Sequence, residues 1–186
     1  MNIKKLYFLL IIVLCISCKE RYSPKPNGYL RIDLQEKKYK LFKPENCTFS
    51  FTASEYFQLI NKGNCWIDLI YPKHNATIHI TYKDIENDLN KLLEDSRNMV
   101  YKHTIKADAI NEKLYLNNNQ KIYGTLYDIK GEAASSVQFH LTDSLNHFIR
   151  GALYFNTNIN YDSLAPIINY LRDDVLNIME SLTWEK

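Results

Sequence analysis

This sequence has little of what most recognisable active sites are built from. It contains five glycines in 186 residues. None falls in a G-x-x-x-x-G-K-[ST] or G-x-G-x-x-G loop, the patterns that wrap backbone amides around phosphate. H-E-x-x-H and G-x-S-x-G are also missing, which removes the commonest zinc-hydrolase and serine-hydrolase signatures. Charge of one sign is lacking too: 23 basic residues stand against 21 acidic ones. No basic stripe marks a nucleic-acid or anionic-lipid surface. Long apolar runs are absent beyond Leu6–Ile16, whose eleven residues fall short of the roughly 20 a membrane-spanning helix needs.

What is present begins with that run. Lys4 and Lys5 precede it, and small Ser17 and then Cys18 follow it, the layout of a cleaved signal peptide. A cysteine placed directly after a small residue and ahead of a charged, Pro-rich stretch identifies a lipoprotein signal. Cleavage before Cys18 leaves its thiol for diacylation and membrane anchoring. The competing account is a secreted protein with an incidental cysteine. Removing residues 1–17 also removes Lys4 and Lys5, so the rest of the chain carries as many bases as acids. Residues 18–27 then form a lipidated cysteine and an extended tether, with Pro24 and Pro26 at alternate positions. At about 3.1 Å per residue it reaches roughly 30 Å from the lipid.

Residues 28–186 read as a single α+β domain, and 14 tyrosines suit a sheet-rich one. Strand-like patterns occur at Gly28–Ile32, Tyr39–Phe42, Phe49–Phe51, Cys65–Tyr71 and Ala76–Tyr82. In the last of these, Ala76, Ile78, Ile80 and Tyr82 alternate with Thr77, His79 and Thr81. Pro72–Asn75 is the turn of a hairpin. Ile85, Leu89, Leu92, Leu93, Ser96, Met99 and Val100 recur at helical spacing and predict a helix from about Asp84 to His103. Four more strands, near Ala109–Leu116, Lys121–Ile129, Ser136–Thr142 and His147–Phe155, form an antiparallel meander with short turns. A second apolar stripe, from Leu164 to Leu182, predicts a helix starting near Asp162 with Pro166 in its first turn. The expected architecture is an antiparallel sheet packed by two main helices, resembling a PsbP-like sandwich.

Two cysteines remain after Cys15 leaves and Cys18 is lipidated. Cys47 and Cys65 either pair, tying adjacent parts of one sheet in an oxidising compartment, or persist as buried thiols. The richest polar constellation is His140, Thr142, Asp143, His147 and Arg150 on the last hairpin, with Asp128 on the neighbouring strand. Two histidines and a carboxylate can bind metal or move protons. Their alternation with Val137, Phe139, Leu141, Ile149, Leu153 and Phe155 explains them equally as the solvated face of an amphipathic sheet. On that simpler account no catalytic residue, cofactor or metal is expected. His74 and His79 are read as surface residues. Asp143-Ser144-Leu145 and Asp162-Ser163-Leu164 match an O-glycosylation acceptor pattern, but Asp143 serves equally as a turn residue and Asp162 as a helix N-cap.

Several ordered segments resemble one family. They are Tyr22-Ser-Pro-Lys-Pro-Asn-Gly-Tyr29-Leu-Arg-Ile-Asp33, Cys65-Trp66 leading to Tyr71-Pro-Lys73, Ala134-Ser-Ser-Val-Gln-Phe139, Leu141-Thr-Asp-Ser144 and His147-Phe-Ile-Arg-Gly-Ala-Leu-Tyr-Phe155. Together they are similar to the GldD-type gliding-motility lipoproteins of Bacteroidetes. Gln35 and Cys15 are departures from that pattern. The resemblance implies an outer-membrane or periplasmic lipoprotein working with other gliding-motility lipoproteins and type IX secretion components, and it implies no catalytic residues. Lys19-Glu20-Arg21, one acid between two bases, lacks the acid-rich character of surface-export signals, which favours the periplasmic face. The other reading of such an anchored domain is a module binding a small hydrophobic or glycan ligand.

Overall fold

The computed structural model describes residues 32–156 and 161–185. The signal peptide, Cys18 and the tether lie outside them. In chain order the elements are β1 (Tyr39–Phe42), β2 (Phe49–Ser54), β3 (Gln58–Asn61), β4 (Ile67–Tyr71), β5 (Ala76–Asp84), α1 (Leu89–Tyr101), β6 (Ala107–Asn117), β7 (Ile122–Gly131), β8 (Ser135–Thr142), β9 (His147–Phe155), α2 (Tyr161–Ser181) and β10 (Thr183–Trp184). They make an α+β fold with a seven-stranded sheet ordered β3-β4-β5-β9-β8-β7-β6 and a three-stranded sheet ordered β1-β2-β10. Every strand pair is antiparallel. Among the described residues no helix is long and apolar enough to cross a membrane.

Side-chain alternation assigns the large sheet its two faces. One face carries Ile67, Leu69, Ile78, Ile80, Phe139, Leu141, Ile149 and Leu153, which pack with Phe49 and Phe51 of β2 and with Leu171, Val175 and Ile178 of α2. The other face lies against α1, where Val100 meets Tyr127, Ile129 and Ala133. The α1 stripe points inward as its spacing requires, with Leu92, Ser96 and Val100 buried. Two glycines sit inside strands rather than in turns. Gly124 faces Leu141 and Gly151 faces Phe139, so the large β8 side chains lie over strand positions that have no Cβ.

The segment before β1 is held by side chains. Lys37 donates to the Tyr170 carbonyl and, at 2.8 Å, to Asp174 Oδ1, which also accepts from the Tyr39 hydroxyl at 2.9 Å. The Lys37 ammonium lies 4.4 Å from the Tyr170 ring centroid. Asp174 is 1% exposed, so this is a nearly buried ion pair that fastens the start of the domain to α2. Burial and then Asp174 hold the Tyr39 and Tyr71 phenols above their ordinary range.

Several boundaries differ from the sequence reading. Of the strand expected at Gly28–Ile32, all but Ile32 lies outside the described residues; residues 32–38 have no regular structure, and there Lys37 binds α2. Helix α1 begins at Leu89 rather than Asp84, since β5 continues to Asp84 in register with His147. Pro166 is the sixth residue of α2, just past the first turn expected for it, where it forgoes the backbone bond an amide would make. Strands β3 and β10 lie outside the expected strands, although Asn61-Lys62-Gly63-Asn64 is a turn signal joining β3 to β4.

Cys47 and Cys65 stand as a bridged pair with Cα atoms 5.6 Å apart. They do not tie parts of one sheet. Cys47 precedes β2 of the small sheet and Cys65 precedes β4 of the large one, so the bridge clips the two sheets together. For a sequence separation of 18, the loop entropy removed from the unfolded chain corresponds to about 3 kcal/mol. Reductant, or Cys47→Ser with Cys65→Ser, is expected to lower the urea midpoint accordingly. Identical midpoints with and without reductant would show that the bridge contributes nothing.

Candidate functional site

The polar residues of the last hairpin divide between the two faces of the sheet. β8 and β9 pair in a register that sets His140 opposite Arg150 and Thr142 opposite Phe148, all on the α1 side. His147 has the parity of Ile149 and points to the other side, where its ring stacks on Trp184 with centroids 5.0 Å apart. Its Nδ1 lies 2.7 Å from the Tyr82 hydroxyl, which donates to Asp84 Oδ1 at 2.6 Å. Burial and Asp84 push Tyr82 up to about 12, so it remains a neutral phenol at physiological pH. Asp128 also lies on that side, gripped by Arg172 of α2 at 2.5 and 2.8 Å.

Asp143 shapes the turn. Its Oδ1 accepts from the amides of Leu145, Asn146 and His147 at 3.0, 2.8 and 2.8 Å. Burial alone would raise its pKa, but these backbone donors outweigh burial and lower it. Ser144 lies in this exposed turn with φ of 69°. Asp162 falls in the first turn of α2. Because His140 and His147 lie on opposite faces, the hydrolase-like constellation is not assembled. Among the described residues no group of three or more His, Cys, Asp or Glu is placed to hold a metal ion.

The face expected to be solvated is largely buried, because α1 crosses it. Gln138 is 1% exposed and His140 is 5% exposed. Arg150 Nη2 donates to Gln138 Oε1 at 2.5 Å. Among the described residues the buried Gln138 Nε2, His140 Nδ1 and Arg150 Nε atoms have no hydrogen-bond partner. His140 lies between aromatic rings, stacked on Phe148 at 5.8 Å and tilted against Tyr127 at 6.0 Å. Further along the same face His79 Nδ1 meets Asp68 Oδ1 at 2.6 Å, and Lys62 pairs with the same carboxylate, so His79, its side chain 40% exposed, stands at the surface but is paired. His74 packs its ring on Tyr170.

Where α1 meets this face a groove of about 220 Å³ opens, lined by Trp66, Lys83, Leu92, Met99, Phe148 and Arg150 among others. Its Arg150 floor was visible in the sequence only as one more polar residue on an alternating strand. Arg150 has no carboxylate within ion-pair distance among the described residues. Burial lowers its pKa, and the Tyr154 phenol beside it partly offsets that cost.

Burial pushes His140 down to about 4, with Glu112 pulling the other way and Arg150 adding to the depression. An unfolded histidine titrates near 6.5, so below that pH the unfolded chain binds a proton that the folded chain refuses. Stability present above about pH 6.5 is therefore lost as pH falls towards 4, by about 3 kcal/mol from this group. His74 and His103, also lowered by burial, act in the same direction. Urea midpoints measured from about pH 7 to about pH 4.5 should fall less in a His140→Gln variant than in the parent. Equal slopes would mean that His140 is not the buried neutral group described.

A search of curated proteins finds no match. The description "Gliding motility lipoprotein GldD" belongs to a protein family that matches residues 19–184, from the tether through β10. With every described element inside that match, the chain belongs to the GldD family of gliding motility lipoproteins.

Proposed function

We propose that this lipoprotein is cut in front of Cys18, lipidated there, and held on the periplasmic face of the outer membrane. Its folded part would act as a non-enzymatic support for the assembly or stability of gliding and type IX secretion components. The observation that carries this reading is the family match, which begins directly behind Cys18 at residue 19. Two further features support it. The chain beyond the signal peptide carries equal numbers of acids and bases. The polar residues of the last hairpin and Asp128 beside it serve a turn, an ion pair and a buried layer rather than one reactive centre. Two or three acyl chains on Cys18 would give durable attachment, whereas one chain binds reversibly. The Cys47–Cys65 bridge would form after export, in the oxidising envelope.

Deleting the gene in a gliding host should abolish spreading and depress secretion of type IX cargo. Re-expression of the parent should restore both. Cys18→Ala should move the protein from the membrane to the soluble fraction. Intact spreading and secretion in the deletion strain would reject the support role, and a detergent-dependent Cys18→Ala variant would reject the anchor. Crosslinking in the native envelope followed by co-purification identifies the partner.

A further inference from the structure

The groove between α1 and the large sheet combines three features that ordinary surface clefts do not. Its walls are apolar at Leu92, Met99 and Phe148, and Trp66 at its rim is 43% exposed. Arg150 lies in its floor, and Lys83 adds a second cation. Asp95, the one carboxylate lining it, pairs with neither of them. The groove is therefore net positive within apolar walls. A largely buried guanidinium normally has a carboxylate partner, because burying an uncompensated charge is costly. Arg150 instead has only neutral groups around it, the Gln138 amide on Nη2 and the Tyr154 phenol, and among the described residues nothing on Nε.

We propose that this groove binds a small amphipathic carboxylate, with the carboxylate on the Arg150 guanidinium and the apolar body against Phe148, Leu92 and Met99. The planar fork of arginine matches a carboxylate, so the ligand supplies the partner that the chain itself withholds. Size follows from volume. An apolar cavity of about 150 Å³ holds a benzene ring. A groove of about 220 Å³ accordingly suits roughly eight to ten non-hydrogen atoms. This excludes long-chain lipids as fully enclosed ligands and favours a short acyl chain or a single-ring acid. Trp66 at the rim is a built-in reporter. The inference concerns a ligand site and does not depend on the gliding role, since its test reads binding alone.

The test uses the folded protein from Cys18 onward carrying Cys18→Ser, with octanoate as probe and octanol and octylammonium as controls of matched length. Octanoate should shift Trp66 emission, and the shift should disappear in Trp66→Phe, which leaves only Trp184 as indole. Calorimetry should rank octanoate above octanol by at least tenfold and show no octylammonium binding. Arg150→Gln should weaken octanoate at least tenfold and leave octanol unchanged. Because Arg150 is largely buried, Met99→Asp provides a second variant on a half-exposed wall, and it too should weaken octanoate at least tenfold. Equal affinity for the three probes, unchanged octanoate affinity in both variants, or no octanoate binding by calorimetry would each overturn the proposal.

Discussion

Replacing Gly124 by alanine is expected to destabilise the fold by about 4 kcal/mol or more, the range reached only by exceptional single substitutions. A Cβ built on Gly124 would lie 2.0 Å from the His140 carbonyl oxygen and 2.7 Å from Leu141 Cδ2. The first of these is backbone of the neighbouring strand, so no rotamer change relieves it. The β7 and β8 strands would have to separate within the seven-stranded sheet, among residues that are almost fully buried. Gly151 differs in kind, because its hypothetical Cβ meets the Phe139 ring at 2.1 Å, a side chain that could in principle turn. Chemical unfolding of Gly124→Ala measures the effect. A midpoint close to that of the parent would mean that β7 and β8 approach less closely than described.

Replacing Lys37 by alanine should cost about 3–5 kcal/mol, the penalty for removing one member of a buried ion pair and leaving the other charge behind. The asymmetry of the pair drives the effect. Lys37 retains 21% of its side-chain exposure, whereas Asp174 retains 1%. After the substitution Asp174 would keep only neutral phenol neighbours, Tyr39 and Tyr71, and residues 32–38 would lose the Lys37 fastening to α2. The double variant Lys37→Met with Asp174→Leu should recover most of the loss, since apolar groups of similar volume replace buried pairs at little net cost. A Lys37→Ala protein within about 1 kcal/mol of the parent would contradict the buried-pair account, because that is the value of an exposed ion pair. A double variant no better than the single one would place the energy in the attraction itself.

Much of the architecture was readable in local pattern. The meander β6 to β9 and the hairpin β4–β5 appear as alternation bounded by Asn, Asp and Pro turns, and both helices appear as apolar stripes. Strand β3 was missed because Gln58–Asn61 is wholly exposed and has no apolar face to alternate. Strand β10 is two residues long and exists through pairing with Phe49 and Ser50, which no local signal records. The candidate constellation was less legible. Asp143 could be read as a turn residue from its neighbours alone. Asp128 could not be matched with Arg172, 44 positions away, before α2 was placed on the sheet.

The sequence by itself determined the signal peptide and Cys18 as an expectation, the α+β class, the order of most elements and the family, because each is written in contiguous residues. Tertiary structure decided which polar residues share a site. Alternation says that His140 and Thr142 share a face, but only the β8–β9 register sets Arg150 opposite His140 and sends His147 to the far side. It also decided that the face read as solvated is covered, since that depends on where α1 lies after its crossing. Register and coverage arise from contacts between segments distant in sequence, where hydrophobic burial and strand pairing outweigh local preference.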